Sequence, residues 1–494
     1  MRPLKIGISG IRGIVGDAFT PELVVEFAQA FGTWVQPVGR LTTSTGRLPS
    51  TSLGPGKPAP TSATAPTTPR PEVGRLKSAP TTLVLVCRDT RPSGPMVHAA
   101  VVSGLLASGC EVIDLGIAPT PSLQLAVPCL GAAGGISVTA GHNPAAWNAL
   151  KLVRPDGLHL NEAQAEEVLD IFHQGEYEKA AWDRIRTRVE TRDAIAPHLD
   201  VLMAAFDTAA TSAKRLKVAV DCCNGACARL TPAWLRLMGC DVIAINDDVS
   251  APFPHDPEPR ADTAAQTAAL VKSTRADIGF VLDADGERVL IVDETGRALS
   301  EELTLALATL TRMQKRPGTV VTNVSTTGAI EKIAGRFGGT VVRTPVGQAH
   351  ISEAIVEHNA AIGGEGNGAV AVPEVHATHD SAATIGLIIE HLARSGRPIS
   401  ALAAELPKLT MIKEKVAVAP NLIYSALGGF REAAERQTGV AVDWTDGVKV
   451  TWPDGWVHVR ASNTESLVRI IAEAETETRT RALVEWARER LRAG

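Results

Sequence analysis

The chain has 494 residues, enough for about three or four domains of ordinary size. Its formal charge is -5, no Lys/Arg run is long enough to read as a nucleic-acid face, and only 4% of residues are aromatic, which argues against a base-stacking platform. The opening residues lack the apolar core of a signal peptide and no apolar run approaches a membrane span, so the expectation is a soluble, cytoplasmic monomer or homodimer without nucleic-acid or membrane partners.

Segment 5–17, KIGISGIRGIVGD, sets glycines at 7, 10, 13 and 16 among isoleucines and encloses Arg12. It reads as a strand broken by a loop able to approach a ligand with its backbone. Arg12 is then either a solvated charge or a bidentate phosphate contact. Residues 21–34 have helical spacing, with Leu23, Val24, Phe27, Ala30 and Phe31 on one face. From 42 to 80 the chain is rich in Ser, Thr, Pro and Gly with Glu72 as its single acid, the composition of a disordered or loosely attached insertion. Order returns at Leu83: LVLVCRD is a buried-strand pattern, 93–108 a small-residue helix ended by Gly109, 111–115 a strand and 121–129 a helix. Arg88-Asp89-Thr90-Arg91 falls at a strand end, the usual ligand side.

The stretch 137–151, SVTAGHNPAAWNALK, is a short strand running into an abrupt turn of small and polar residues. A helix with Asn161 as N-cap follows to about 173. The pattern repeats as strand 216–221, helix 229–238, strand 241–245, the rigid turn 253–259, helix 264–273 and strand 278–282. That strand enters DADGER, and 289–292 resumes a strand, so the acidic loop is a tight turn. A third unit has helix 301–312, strand 319–324, helix 327–337, strand 340–343, the Gly-rich loop AIGGEGNGAVA and an apolar helix 381–394. Strands alternating with helices at this spacing imply a parallel sheet with right-handed crossovers. The last unit differs, with strands near 411–418 and 448–452 and helices near 423–436 and 477–492.

The seven cysteines do not suggest a disulfide framework. Cys87, Cys110, Cys129 and Cys240 sit in or beside apolar runs and read as small core residues. Cys222, Cys223 and Cys227 cluster in DCCNGAC, where a metal site lacks a fourth ligand and a partner pair. Asp283, Asp285 and Glu287 alternate in a turn between apolar strands, so their carboxylates are expected to converge as an oxygen-only site for Mg2+ or Ca2+. RASNTESLVR offers two arginines, hydroxyls, an amide and backbone N–H donors, the composition of a phosphate cradle. In GGEGNG, Glu365 and Asn367 are alternate residues suited to adjacent sugar hydroxyls.

In this order, ISGIRG, TAGHNPxxWNALK, DADGER, GGEGNG and RASNTExxxR resemble the α-D-phosphohexomutase superfamily over almost the whole chain except 42–80, and TPVG, GGEGNG and DGWVHVRASNTE are most similar to its phosphoglucosamine mutase and phosphomannomutase branch. The resemblance implies an α/β fold of three related domains with mixed sheets and a C-terminal α+β domain around a central cleft, divided at 1–195, 196–298, 299–408 and 409–494. It implies a mutase that moves a phosphoryl group between positions 1 and 6 of a hexose phosphate, with Mg2+ and hexose 1,6-bisphosphate. By motif, Asp283, Asp285 and Glu287 are metal ligands. Arg12 and Arg288 neighbour the transferring phosphate, and His142 and Lys151 are candidates for proton transfer. Gly347, Glu365 and Asn367 contact the sugar, and Arg460, Ser462, Asn463, Thr464 and Arg469 hold the second phosphate.

Three positions depart from the family pattern. Gly141 stands at the phosphoserine position, Glu287 replaces an aspartate, and Ser466 stands where proline is common. Thr139 lies two residues back, on the same strand face, as a conceivable substitute carrier. The alternative to a mutase is a sugar-phosphate-binding pseudo-mutase; a phosphatase-like leak to water is a third reading.

Overall fold

The computed structural model describes residues 4–7, 10–36, 82–186, 189–461 and 467–492. The 42–80 insertion and the phosphate-cradle residues Ser462, Asn463 and Thr464 lie outside them. Among the described residues no helix is long and apolar enough to cross a membrane.

Among the described residues twenty strands form four sheets. The first contains β1 (Leu4–Gly7), β2 (Gly10–Ile14), β3 (Leu83–Arg88), β4 (Glu111–Ile117), β5 (Gly134–Val138), β6 (Trp147–Val153) and β7 (Glu190–Thr191). The second contains β8 (Lys217–Asp221), β9 (Asp241–Ile245), β10 (Ile278–Leu282) and β11 (Val289–Asp293), and the third β12 (Thr319–Asn323), β13 (Thr340–Thr344), β14 (Ile362–Glu365) and β15 (Ala369–Ala371). The fourth contains β16 (Thr410–Ala417), β17 (Ala441–Asp443), β18 (Val448–Trp452), β19 (Gly455–Ala461) and β20 (Leu467–Ala474).

The first three sheets repeat one topology. The sequences β4-β3-β5-β6, β9-β8-β10-β11 and β13-β12-β14-β15 each place three parallel strands beside a final antiparallel one. These are the mixed sheets that the resemblance implied, each parallel set closed by one antiparallel strand. The connection between the third and fourth strand of each unit is hairpin-sized, and a hairpin joins only antiparallel strands. The three stretches with the most chemistry, the turn after Val138, DADGER and the Gly-Asn-Gly turn after Glu365, are therefore the same hairpin in three successive units. The Gly-rich stretch 361–371 is thus a strand pair, not a loop.

Local sequence accounts for the element ends. Asn161 and Gln164 form a reciprocal capping box at the helix Glu162–Gln174, which Gly175 closes at φ 67°. One apolar cluster runs from Leu85 and Leu123 in the first unit through Trp234 and Phe280 in the second to Ile330 and Ile388 in the third. The three hairpins therefore stand on a shared, close-packed bed.

The fourth sheet is antiparallel throughout and, with the helices Ile423–Glu435 and Glu477–Arg492, keeps a core of its own around Phe430, Val459 and Ile470. It meets the third unit through polar contacts. Lys413 Nζ lies 2.9 Å from Glu301 and 2.8 Å from Glu302. Ser325 pairs with His458 at 2.9 Å, Lys449 donates to Val324 O at 2.8 Å, and Gly328 N donates to Glu473 at 2.8 Å.

Two cysteine expectations change. Cys129 is exposed and Cys240 half-buried, while Cys87, Cys110, Cys222, Cys223 and Cys227 are buried and free. No three-ligand cluster of His, Cys, Asp or Glu stands in metal-binding geometry among the described residues, which leaves DCCNGAC as core.

Candidate active site

The turn after β5 is shaped by a residue that the sequence placed on the ligand side. Arg91 is fully buried, and its Nε binds Asp89 Oδ2 at 2.7 Å. Its Nη2 donates to Gly141 O at 3.0 Å, and Nη1 donates to Pro144 O and Trp147 O. Arg91 is thus the pin of the turn. Asp89 also accepts from Thr139 Oγ1 at 2.6 Å, and that oxygen accepts from Gly141 N at 2.9 Å. Lys151 is on β6 opposite Ser137, because the residues after the turn form a strand and not the loop end the sequence suggested.

Lys151 is the centre of the charge cluster. Its ammonium is 2.7 Å from Asp285 Oδ2 and 2.7 Å from Glu287 Oε2. Burial works to lower its pKa, but the two carboxylates outweigh this and raise it. Glu287 is the mirror case: burial pushes upward, yet Lys151 and His159 hold it well below the usual range. Asp283 behaves differently. Its Oδ1 accepts N–H from Gly286 at 2.9 Å, Glu287 at 3.0 Å and Arg288 at 3.1 Å, folding the loop around itself. Burial and its two acidic neighbours push its carboxyl well up.

The expected convergence of three carboxylates is therefore corrected. Asp285 and Glu287 converge on Lys151, and Asp283 turns one oxygen inward because the tight turn has backbone N–H groups to satisfy. The donor set still fits a hard divalent cation. All donors are oxygen, two buried carboxylates face Lys151 with buried Asp283 beside them in the same turn, and Asp285 Oδ1 is buried without a hydrogen-bond partner among the described residues.

A Cβ added at Gly141 would meet Asp285 Oδ1 at 3.4 Å, Asp285 Oδ2 at 3.5 Å and Lys151 Nζ at 3.6 Å. Position 141 thus faces the cluster. Arg12 on β2 donates to Asn143 Oδ1 at 2.8 Å, and its pKa is lowered by burial and by Arg288. His142 is driven well below its ordinary value by burial and by Arg288, Arg12 and Lys151. A neutral imidazole among three cations results.

Several residues not singled out from the sequence complete the site. With its amide oriented to satisfy its neighbours, Gln348 donates to Glu287 Oε1 and His159 Nε2, each at 3.0 Å, and accepts from His379 N at 3.2 Å. His159 Nδ1 faces Leu152 O at 3.0 Å, which fixes Nδ1 as a donor. Gln348 opens the helix Gln348–Glu357, and Gly347 before it, at φ 144°, donates its N–H to Glu365 Oε1 at 3.2 Å. Glu365 also accepts from Asn323 at 2.7 Å and Asn367 at 3.3 Å, which joins Glu365 and Asn367 to each other. Next along, Val346 N donates to Asp446 Oδ2 at 3.0 Å, and Arg460 Nε donates to Asp446 Oδ1 at 3.1 Å. Arg460 stands directly opposite Arg469 across β19 and β20. Like charges in that register repel unless an anion or acid offsets them.

A continuous line of polar contacts thus runs from the acidic loop through Gln348 and Glu365 to Arg460. Three repeats of one α/β unit, with a fourth unit adding paired arginines, define a multidomain protein that gathers carboxylates and cations where its units meet. Family models agree. The phosphoglucomutase/phosphomannomutase α/β/α domain I matches 73–179, domain II 196–296, domain III 300–410 and the C-terminal domain 415–489. A phosphoglucomutase/phosphomannomutase of Thermococcus kodakarensis is 35% identical over 97% of this chain and 96% of its own, and a probable phosphoglucosamine mutase of Methanopyrus kandleri 34% identical over 97% and 95%. A solved phosphoglucomutase/phosphomannomutase family structure from Burkholderia thailandensis superposes with TM-score 0.79 at 24% identity, covering 99% of this chain and 98% of that one, and shows the same fold. The chain belongs to the phosphoglucomutase/phosphomannomutase family.

Proposed function

We propose that the chain is an isomerase-class phosphotransferase that interconverts hexose 1-phosphate and hexose 6-phosphate of phosphoglucosamine or phosphomannose type. Its domains would divide near 195, 298 and 408. The observation that carries this reading is the cluster facing position 141, where Lys151, Asp285 and Glu287 meet at 2.7 Å. Arg12, Arg288 and His142 lie within its electrostatic reach. Asp283, Asp285 and Glu287 would hold Mg2+, which when bound neutralises charge on a transferring phosphoryl group. Lys151 shares two of these carboxylates and stays an ammonium, adding positive charge beside the same group. Neutral His142 is the candidate to take the proton of the attacking sugar hydroxyl. Gly347, Glu365 and Asn367 would orient the sugar, and Arg460 and Arg469, with Ser462, Asn463 and Thr464, the phosphate that does not react.

Gly141 offers no hydroxyl, and Thr139 does not replace it. Thr139 is fully buried and its oxygen is committed to Asp89 and Gly141 N. The donor is then a freely bound hexose 1,6-bisphosphate. Hexose 1-phosphate accepts a phosphoryl group at its 6-hydroxyl, the bisphosphate leaves as hexose 6-phosphate, and a new bisphosphate has formed. The test is incubation of the purified chain with Mg2+ and each hexose 1-phosphate, with and without bisphosphate, followed by detection of the 6-phosphate. Turnover that requires bisphosphate is expected. Saturable sugar-phosphate binding with no turnover under any condition would instead favour the pseudo-mutase, the reading that the missing hydroxyl supports.

A further inference from the structure

Beneath the acidic loop lies a buried polar array that the site does not use directly. Ser122, on the helix Thr120–Cys129, pairs its Oγ with His198 Nδ1 at 2.8 Å. His198, on the helix Ile195–Ala205, pairs its Nε2 with Asp380 Oδ2 at 2.9 Å. His376 Nε2 reaches the same oxygen at 3.1 Å. Asp380 Oδ1 accepts from Ala382 N and Ala383 N, capping the helix Ser381–Ser395.

A carboxylate only accepts, so both histidines present Nε2–H to Asp380; Nδ1 of His198 pairs with the Ser122 hydroxyl, and Nδ1 of His376 with Thr378. Burial would raise the Asp380 carboxyl, yet the two histidines hold it below its ordinary value. Ser122 and Asp380 are fully buried and His198 is 1% exposed. The order Ser, His, Asp is that of a nucleophilic triad, but nothing reaches the hydroxyl. A buried network in which every donor has an acceptor is instead a device for fixing geometry.

The array fixes the two clamps on the acidic loop. Two residues before Ser122, Thr120 donates its N–H to Asp285 O at 3.0 Å and its hydroxyl to Asp285 Oδ2 at 3.1 Å. One residue after Asp380, Ser381 N donates to Gly286 O at 3.0 Å. The first clamp belongs to the first unit and the second to the third unit, while the loop itself belongs to the second. His198 bridges the two clamps through the interior.

We infer that Ser122, His198 and Asp380 are positioning residues that hold the Thr120 and Ser381 clamps in register across three units and thereby set the affinity of the acidic loop for a divalent cation. The inference rests on the cation reading proposed above. It is tested on the full chain without substrate, by titration with Mn2+ and measurement of the free ion by electron paramagnetic resonance.

Asp285→Asn should abolish tight Mn2+ binding by the parent protein. Ser122→Ala, which strands His198 Nδ1, should weaken Mn2+ by about tenfold, as loss of a partner behind a ligand commonly does. Ser122→Thr, which keeps the hydroxyl, should recover most of that loss. Ile333→Val, which truncates the shared core away from the array, should lower thermal stability while leaving Mn2+ affinity in place. Unchanged affinity in Ser122→Ala would overturn the inference, as would an equal loss in Ile333→Val. A parent chain that binds no Mn2+ would remove the cation reading and this inference with it, a result distinguishable from the other two. Asp380→Asn is a second route to the same answer, since it keeps the shape and removes an acceptor.

Discussion

Gly141→Ser asks whether the turn still supports a covalent phosphoryl carrier. Gly141 has φ +56°, in the left-handed region, where an L side chain costs about 1–2 kcal/mol. Space adds nothing to that cost, because the new Cβ meets its nearest neighbours, Asp285 Oδ1 and Oδ2 and Lys151 Nζ, at 3.4, 3.5 and 3.6 Å, ordinary contact distances. Asp285 Oδ1, buried without a partner among the described residues, can accept from the serine hydroxyl, which returns about 0.5–1.5 kcal/mol. The net change in stability is therefore small, from a gain of about 0.5 to a loss of about 1.5 kcal/mol, and is measured by urea denaturation. The functional change should be large. After exposure to hexose 1,6-bisphosphate and desalting, intact mass should show one added phosphoryl group on the variant and none on the parent. The variant should then turn over hexose 1-phosphate without further bisphosphate. A well-folded variant that takes up no phosphate, with its bisphosphate requirement unchanged, would refute the placement of position 141 as the carrier site.

Lys151→Met should reduce turnover by at least about a hundredfold, since it removes the ammonium from a charge-transfer site. It should also lower the unfolding free energy by about 3–5 kcal/mol by leaving Asp285 and Glu287 buried without their cation, a loss that added Mg2+ should partly offset in a thermal scan. Lys449, buried beside Arg343, is lowered from 10.5 to about 7, burial being the larger cause. The unfolded chain keeps this proton up to about pH 10.5, whereas the folded chain releases it above about 7, so unfolding takes up a proton between these values. Stability should rise with pH across that window, the penalty being complete below about 7, and Lys449→Met should flatten the rise in denaturation curves measured at successive pH values. Native protein at pH 8 should lose one thiol quickly to Ellman's reagent, that of exposed Cys129. Burial pushes Cys87 and Cys110 up to about 12, and these should react only on unfolding.

Much of the fold could be read locally. The Asn161 cap, the strand that enters DADGER and the glycines that close helices each depend on a few adjacent residues, and the structure places them within a residue or two of the reading. The failures are equally specific. Trp147–Val153 was hidden as a strand because its partners, Gly135–Val138 and Ile11–Ile14, supply the pairing from elsewhere in the chain. Gln348 has no local signal, since its role depends on Glu287, His159 and His379 arriving from three other segments. The strand end that carries Arg88 and Arg91 reads as the ligand side, whereas Arg91 turns inward to pin the turn after β5. Its burial by the turn 50 residues later could not be seen from composition. His198 and Asp380 are 182 residues apart, and the buried array they form has no signature along the chain.

The separation of the two cores has a calorimetric consequence. The cluster that runs through the first three units and the one around Phe430 share no residue, and the joint between them is built from Lys413, Ser325, Lys449 and Glu473 meeting polar partners. Parting a joint rich in polar contacts exposes less apolar surface than melting either core, so it should carry a smaller change in heat capacity. Its charged contacts are screened by added electrolyte, whereas packed hydrocarbon is strengthened or left alone by it. Added salt should therefore loosen the hold of the C-terminal unit before it loosens either core.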